Sequence, residues 1–185
     1  MDLFEFQMNN HLKDTAPLAE RMRPVKLEDY VGQDHVVGRG KYIDRILRAR
    51  FLPSLLFYGP PGIGKTTLAE IVAKTSNREF VALSAVTSNV KDRLGGQGRE
   101  TVLFLDEIHR FNKSQQDVLL PYVEKGKIIL MGATTENPYF YVNSALLSRL
   151  QVVQLNPLDD EAIKELLKRA IQDEARGFGK EKIQF

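Results

Sequence analysis

The chain has 185 residues, 43% hydrophobic and 27% charged, enough for one folded core and the beginning of a second unit. A net charge of +2 is too small for composition alone to argue nucleic-acid binding. The absence of cysteine excludes disulfides, thiolate zinc sites and cysteine nucleophiles, and the three histidines, His11, His35 and His109, lack metal-ligand spacing.

In chain order, residues 1–15 read as a flexible arm. MDLFEFQMNNHLKD is too acidic and polar for a signal peptide, and no apolar run nears the roughly 18 residues of a membrane span. A cytoplasmic protein is therefore expected. Positions 41–50 place Ile43, Ile46 and Leu47 on one helical face. Short apolar runs then recur at 54–58, 80–84, 101–105, 128–133 and 152–155. Most are rich in Val, Ile, Leu and Phe without alternation, as strands buried on both faces are. Between them, 66–76 carries Leu68, Ile71, Val72 and Thr75 on one side, and 114–124 carries Val118, Leu119 and Val123. Pro121 is expected to kink that second helix or end it early. Strands alternating with helices predict an α/β fold with a doubly wound parallel sheet.

The connection AVTSNVKDRLGGQGRE is barely long enough for a parallel crossover, and Gly95, Gly96 and Gly98 discourage a helix. Either the crossover is a loop, or residues are missing there. The core is assigned to 16–157. The remainder, 158–185, opens with an amphipathic helix whose apolar stripe is Ile163, Leu166, Leu167, Ala170 and Ile171, with Asp159 or Asp160 as N-cap. It reads as the first helix of a helical subdomain, cut short.

GPPGIGKT, at 59–66, fits the phosphate-loop pattern and sits between a predicted strand and a predicted helix, the context the motif requires. Gly59, Pro60, Pro61, Gly62, Ile63 and Gly64 would curl backbone N–H groups around phosphate oxygens at a helix N-terminus. Lys65 would reach the β- and γ-phosphates of ATP, the Thr66 hydroxyl would bind Mg²⁺, and Thr67 would touch the α-phosphate. The bland alternative is a Gly/Pro turn. TVLFLDEIH then delivers Asp106 and Glu107 to the same sheet edge, where doubly wound folds bind ligands. Asp106 would hold Mg²⁺ and Glu107 would orient the attacking water. A solvated strand end would show the same two carboxylates. In IILMGATTENP, Thr134 is the choice for a group beside the γ-phosphate, with Thr135 the alternative and a plain turn the bland reading. Arg149, in SALLSRLQ, is on sequence alone a surface arginine after an apolar helix. His109 receives no role beyond a place in the turn before FNKSQQ, where Asn112 or Ser114 would cap the next helix.

Taken together, GPPGIGKTTLAEIVA, LFLDEIHRFNKSQQDVLLPYVEKG and ILMGATTENPYFYVNSALLSRL resemble the AAA+ ATPases of the RarA/MgsA family. These are similar to Werner-helicase-interacting ATPases and, more distantly, to clamp-loader subunits and RuvB. The resemblance implies a P-loop AAA+ core with a five-stranded parallel sheet of order 5-1-4-3-2, followed by a helical lid. It implies that Arg23, Pro24 and Val31 wall the adenine, that Ser84 restrains the catalytic glutamate, and that Arg149 is an arginine finger acting on a neighbouring subunit. Fingers of this kind are worth roughly 10³–10⁵ in rate.

The implied function is an oligomeric, nucleoid-associated ATPase that tends stalled or gapped replication forks. Its implied partners are DNA at single-strand/duplex junctions, other copies of the chain, and a sliding clamp or single-strand-binding protein. Met1–Phe4 resembles the end of a clamp-docking peptide. Lys113, beside the helix start, is a candidate DNA contact. A RuvB-like branch-migration motor and a clamp-loader subunit are the alternatives. RuvB-type chains place a β-hairpin between DEIH and the GATT strand, and the short run here leaves no room for one. A processive helicase would need a second motor domain, and a small-molecule kinase would not need these motifs in this order.

Overall fold

A computed structural model describes residues 16–83 and 101–180. The described residues fall into two units, 25–158 and 16–24 with 159–180. The first unit is built on strands β1 (Leu55–Tyr58), β2 (Glu79–Leu83), β3 (Thr101–Leu105), β4 (Ile128–Thr134) and β5 (Gln151–Gln154). All are parallel, in the order β2-β3-β4-β1-β5. This is the expected order read from the other edge.

The apolar runs form strands because both sheet faces are covered. Successive side chains point to opposite faces, and two cores result. Leu55, Phe57, Val102, Phe104, Met131, Ala133 and Val153 face one side, against Leu68, Ile71 and Val72 of α4 (Lys65–Thr75). Leu56, Leu103, Leu105 and Leu130 face the other, against Leu119 of α5 (Lys113–Glu124) and Leu146 of α7 (Ser144–Leu147). Gly132 is set by this packing. A Cβ there would lie 2.8 Å from Leu56 Cδ1 and 3.3 Å from Ile108 Cδ1.

Ahead of the sheet, a 3-10 turn (Leu27–Asp29) leads to α2 (Asp34–Val37) and α3 (Tyr42–Arg48). A second 3-10 turn (Ile108–Arg110) links β3 to α5, and α6 (Pro138–Tyr141) precedes α7. The run from β3 to β4 therefore holds one 3-10 turn and one helix, without a hairpin. Asn112 caps α5 through a capping box with Gln115.

Pro121 does not end α5 early; the helix continues to Glu124. Proline deprives the Asp117 carbonyl of its helical partner, but Asp117 and Pro121 lie on the exposed face, where water can serve that carbonyl. Buried Gln116 and Leu119 hold the opposite face.

In the other unit, α1 (Leu18–Arg21) and α8 (Asp160–Gln172) are helical. Asp159 is the N-cap, accepting from the Ala162 N–H at 2.8 Å. Ala162 and Ala170 are buried, whereas Ile163, Leu167 and Ile171 of the expected stripe are exposed. No helix among the described residues is long and apolar enough to cross a membrane. Met1–Phe4, Ser84 and the glycine-rich connection lie outside the described residues.

Candidate nucleotide-binding site

The loop 59–64 leaves the C-terminal end of β1, an apolar strand flanked by β4 and β5. The Gly59 N–H donates to the Thr134 carbonyl at 3.2 Å, joining the ends of β1 and β4. Pro60, Pro61 and Gly62 form an exposed crest, and Ile63 is buried in the core. Gly64 caps α4 with φ of 90°, and a Cβ there would lie 2.8 Å from the Tyr30 hydroxyl. Both the backbone conformation and the space demand glycine. That hydroxyl is within hydrogen-bond range of the Ile63 carbonyl at 3.0 Å and the Gly64 carbonyl at 3.2 Å, donating to the loop from outside. Burial pushes the Tyr30 phenol's pKa well up, so it stays protonated and a donor.

Lys65 is only 7% exposed, and its Nζ donates to the Gly59 and Pro60 carbonyls at 2.7 and 2.6 Å. Desolvation lowers the ammonium's pKa, while the Glu107 and Asp106 carboxylates push it back up. The three charges therefore share one electrostatic environment. Thr66 is half-buried and Thr67 buried on the first turn of α4.

Asp106 follows β3 and is exposed, with its carboxylate accepting from the Glu107 N–H at 3.0 Å. Glu107 adopts left-handed backbone angles, φ 49° and ψ 50°. Such a conformation costs a non-glycine residue about 1–2 kcal/mol. It turns the chain sharply from β3 into the 108–110 turn. Glu107 is thereby surrounded: Thr135 Oγ1 donates to its Oε2 at 3.4 Å, and His109 Nε2 lies 3.3 Å from the same oxygen. The other ring nitrogen, His109 Nδ1, lies 2.9 Å from Thr134 Oγ1. Thr134 is completely buried, and its hydroxyl also accepts from the Glu136 N–H at 3.0 Å.

Lys65, Thr66, Asp106, Glu107, Thr134 and Thr135 thus lie at the C-terminal edge of the sheet. Arg149 does not. It precedes β5, whose first residue pairs with Leu55 at the N-terminal end of β1. There it forms an ion pair with Glu124, and Nη1 donates to the Ala145 carbonyl at 2.5 Å and to Ser148 Oγ at 3.0 Å. Arg23 and Pro24 belong to the other unit, where Arg23 pairs with Glu20 at 2.7 Å. Val31 is half-buried beside Tyr30.

Sequence reasoning missed three features. Tyr30 gave no local signal, because the loop carbonyls it meets lie 33 and 34 positions away. His109 gave no local signal, because Thr134 is 25 positions away. Gln33 exchanges two hydrogen bonds with the Asn156 backbone, Nε2 to the carbonyl at 2.6 Å and the Asn156 N–H to Oε1 at 2.8 Å.

Three or more His, Asp or Glu side chains do not gather into a metal cage among the described residues. The donor set of Thr66 and Asp106 suits Mg²⁺, which keeps several waters and binds through one or two protein oxygens plus phosphate.

The strand order, the phosphate loop and the acidic end of β3 define a P-loop nucleotide-binding domain of the AAA+ class. A family model described as the Holliday junction DNA helicase RuvB P-loop domain matches residues 22–153. The chain belongs to this family of RuvB-type AAA+ domains. It is also strongly homologous to replication-associated recombination protein A. It is 48% identical to that protein of Haemophilus influenzae, over 97% of this chain and 42% of the relative. With that of Bacillus subtilis it shares 49% identity over 88% of this chain and 40% of the relative. The chain thus spans about two fifths of the length of these relatives. Among solved structures, the Thermotoga maritima RuvB Holliday junction branch migration motor superposes with a TM-score of 0.69 at 31% identity, over 82% of this chain and 54% of that one.

Proposed function

We propose that the chain is the nucleotide-binding part of a Mg²⁺-dependent ATPase that works as an oligomer on DNA during replication and recombination. The observation that carries this reading is the gathering of Lys65, Asp106, Glu107 and Thr134 at one sheet edge, beside a loop shaped by Gly64. The loop amides and Lys65 bind the phosphates, with Thr67 on the α-phosphate. Thr66 and Asp106 hold Mg²⁺, which neutralises phosphate charge when bound. Glu107 orients the attacking water, and Thr134 senses the γ-phosphate. Val31, the adenine-wall candidate in the same unit as the phosphate loop, packs against the adenine. Arg149 lies on the sheet edge away from its own phosphate loop, which favours action on a neighbouring copy. The relatives' name, replication-associated recombination protein A, supports DNA as the partner. The capping box already engages the Asn112 and Gln115 N–H groups, so Lys113 is the better DNA contact on that turn.

A RuvB-like branch-migration motor is the second reading, favoured by the family match. The hairpin-free passage from β3 to β4 counts against it.

Titration of a fluorescent ATP analogue with Mg²⁺ tests the site. Lys65→Ala is expected to abolish binding, and unchanged affinity overturns the assignment. This chain alone is expected to bind nucleotide but to turn it over slowly. Brisk, concentration-independent hydrolysis would overturn the need for a neighbour's finger.

A further inference from the structure

We infer that His109 is a positioning residue that bridges Glu107 to Thr134 and so fixes the orientation of the carboxylate that handles the attacking water. The inference rests on the ATPase reading above and deepens it.

A neutral imidazole carries one N–H and one lone pair. Nε2 faces a carboxylate oxygen, which only accepts, so the proton belongs on Nε2. Nδ1 then offers its lone pair, and the Thr134 hydroxyl donates to it. Thr134 Oγ1 in turn accepts from the Glu136 N–H. In this arrangement Nδ1 and the Thr134 hydroxyl are hydrogen-bonded, and the Nε2–H faces Glu107 Oε2 across 3.3 Å. With the proton on Nδ1 instead, a lone pair would face the carboxylate, and Thr134 would have to donate to the longer Glu136 carbonyl contact at 3.3 Å.

The ring itself is held. His109 lies in the 3-10 turn that the left-handed Glu107 backbone creates, and Tyr141 meets it edge-on at a centroid distance of 6.1 Å. Thr134 is completely buried on a central strand, so it is a rigid anchor. Glu107 is thereby tied to β4 through an aromatic ring. The same Thr134 hydroxyl is the one proposed above to respond to the γ-phosphate. While it donates to His109, its single proton is not available to another acceptor. Recruitment of that proton by a phosphate would leave Nδ1 without its donor, and the ring would report the change to Glu107.

Two readouts in the full chain test this. The first is the imidazole tautomer by ¹⁵N NMR, with the His109 signals identified by their loss in His109→Ala. The Nε2–H form is expected, shifting on Thr134→Val and on addition of Mg²⁺ and nucleotide. The Nδ1–H form, or signals indifferent to Thr134→Val, overturns the bridge. The second is kinetic. His109→Ala is expected to lower kcat roughly 10²-fold, the scale of a misplaced reacting group, with KM and nucleotide affinity little changed. Gln places a donor near the Nε2 position and Asn near Nδ1. His109→Gln is therefore expected to recover kcat well above Ala, and His109→Asn is not. Wild-type kcat in His109→Ala overturns the inference, as does an equal fall of kcat, affinity and melting temperature in all three variants. If the wild-type chain hydrolyses no ATP even when assembled, the ATPase reading fails, while the tautomer still decides whether the bridge exists.

Discussion

Glu124 and Arg149 form an ion pair at the N-terminal edge of the sheet, away from the phosphate loop. Glu124 ends α5 and Arg149 follows α7, so the pair joins the two helices that cover one sheet face. An arginine that serves a neighbouring copy must first leave this partner. Both side chains are more than a third exposed, so the pair is worth at most about 1 kcal/mol. Glu124→Ala is therefore expected to raise ATPase activity at limiting protein concentration, by no more than roughly fivefold. Arg149→Ala should lower the assembled activity by roughly 10³-fold or more. Nucleotide affinity, measured by titration, should be unchanged in both. A finger role fails if Arg149→Ala retains full activity in the oligomer.

Tyr30→Phe removes the hydroxyl that donates to the Ile63 and Gly64 carbonyls while keeping the ring. The loss of one buried hydrogen bond should destabilise the fold by about 1 kcal/mol. Because the bond holds the phosphate loop, nucleotide affinity should fall severalfold as well. Calorimetric titration separates the two effects, and unchanged affinity would leave Tyr30 a core residue only.

Gly132→Ala tests the packing beneath the acidic turn. The new Cβ would lie 2.8 Å from Leu56 Cδ1 and close to Ile108. Overpacking of this kind costs about 1–3 kcal/mol. A lower denaturation midpoint is expected, together with reduced turnover, since Ile108 sits between Glu107 and His109.

Gln116 is 1% exposed, yet fully engaged. It donates to the Phe111 and Tyr141 carbonyls at 2.9 and 3.1 Å and accepts from the Asn143 N–H at 2.7 Å. Gln116→Leu would strand these backbone groups and should cost about 3 kcal/mol. Urea denaturation reads this directly. A midpoint equal to wild type would mean that the 141–143 segment has other support.

Much of this was legible in the residues. Strands buried on both faces leave continuous apolar runs such as LLFY and TVLFL, and the glycine spacing of 59–64 reflects a backbone constraint that Gly64 satisfies. Pro121 did not end α5 early: a local rule about helix breaking ignores which face is wet. The Glu107–His109–Thr134 bridge and the Glu124–Arg149 pair were not legible. Each joins residues on different elements, and only the sheet order sets their distance.

The clasp between Gln33 and Asn156 has a consequence for how the chain acquires its shape. It joins positions 123 apart, and Gln33 sits in left-handed backbone angles while making it. A chain emerging from the ribosome exposes Gln33 long before Asn156. Closing so wide a loop carries a large entropic cost that only the finished sheet offsets. The segment beside the phosphate loop therefore cannot close this clasp until Asn156, just after β5, is in place. A nascent chain stalled before β5 should carry the phosphate-loop sequence and still fail to retain nucleotide.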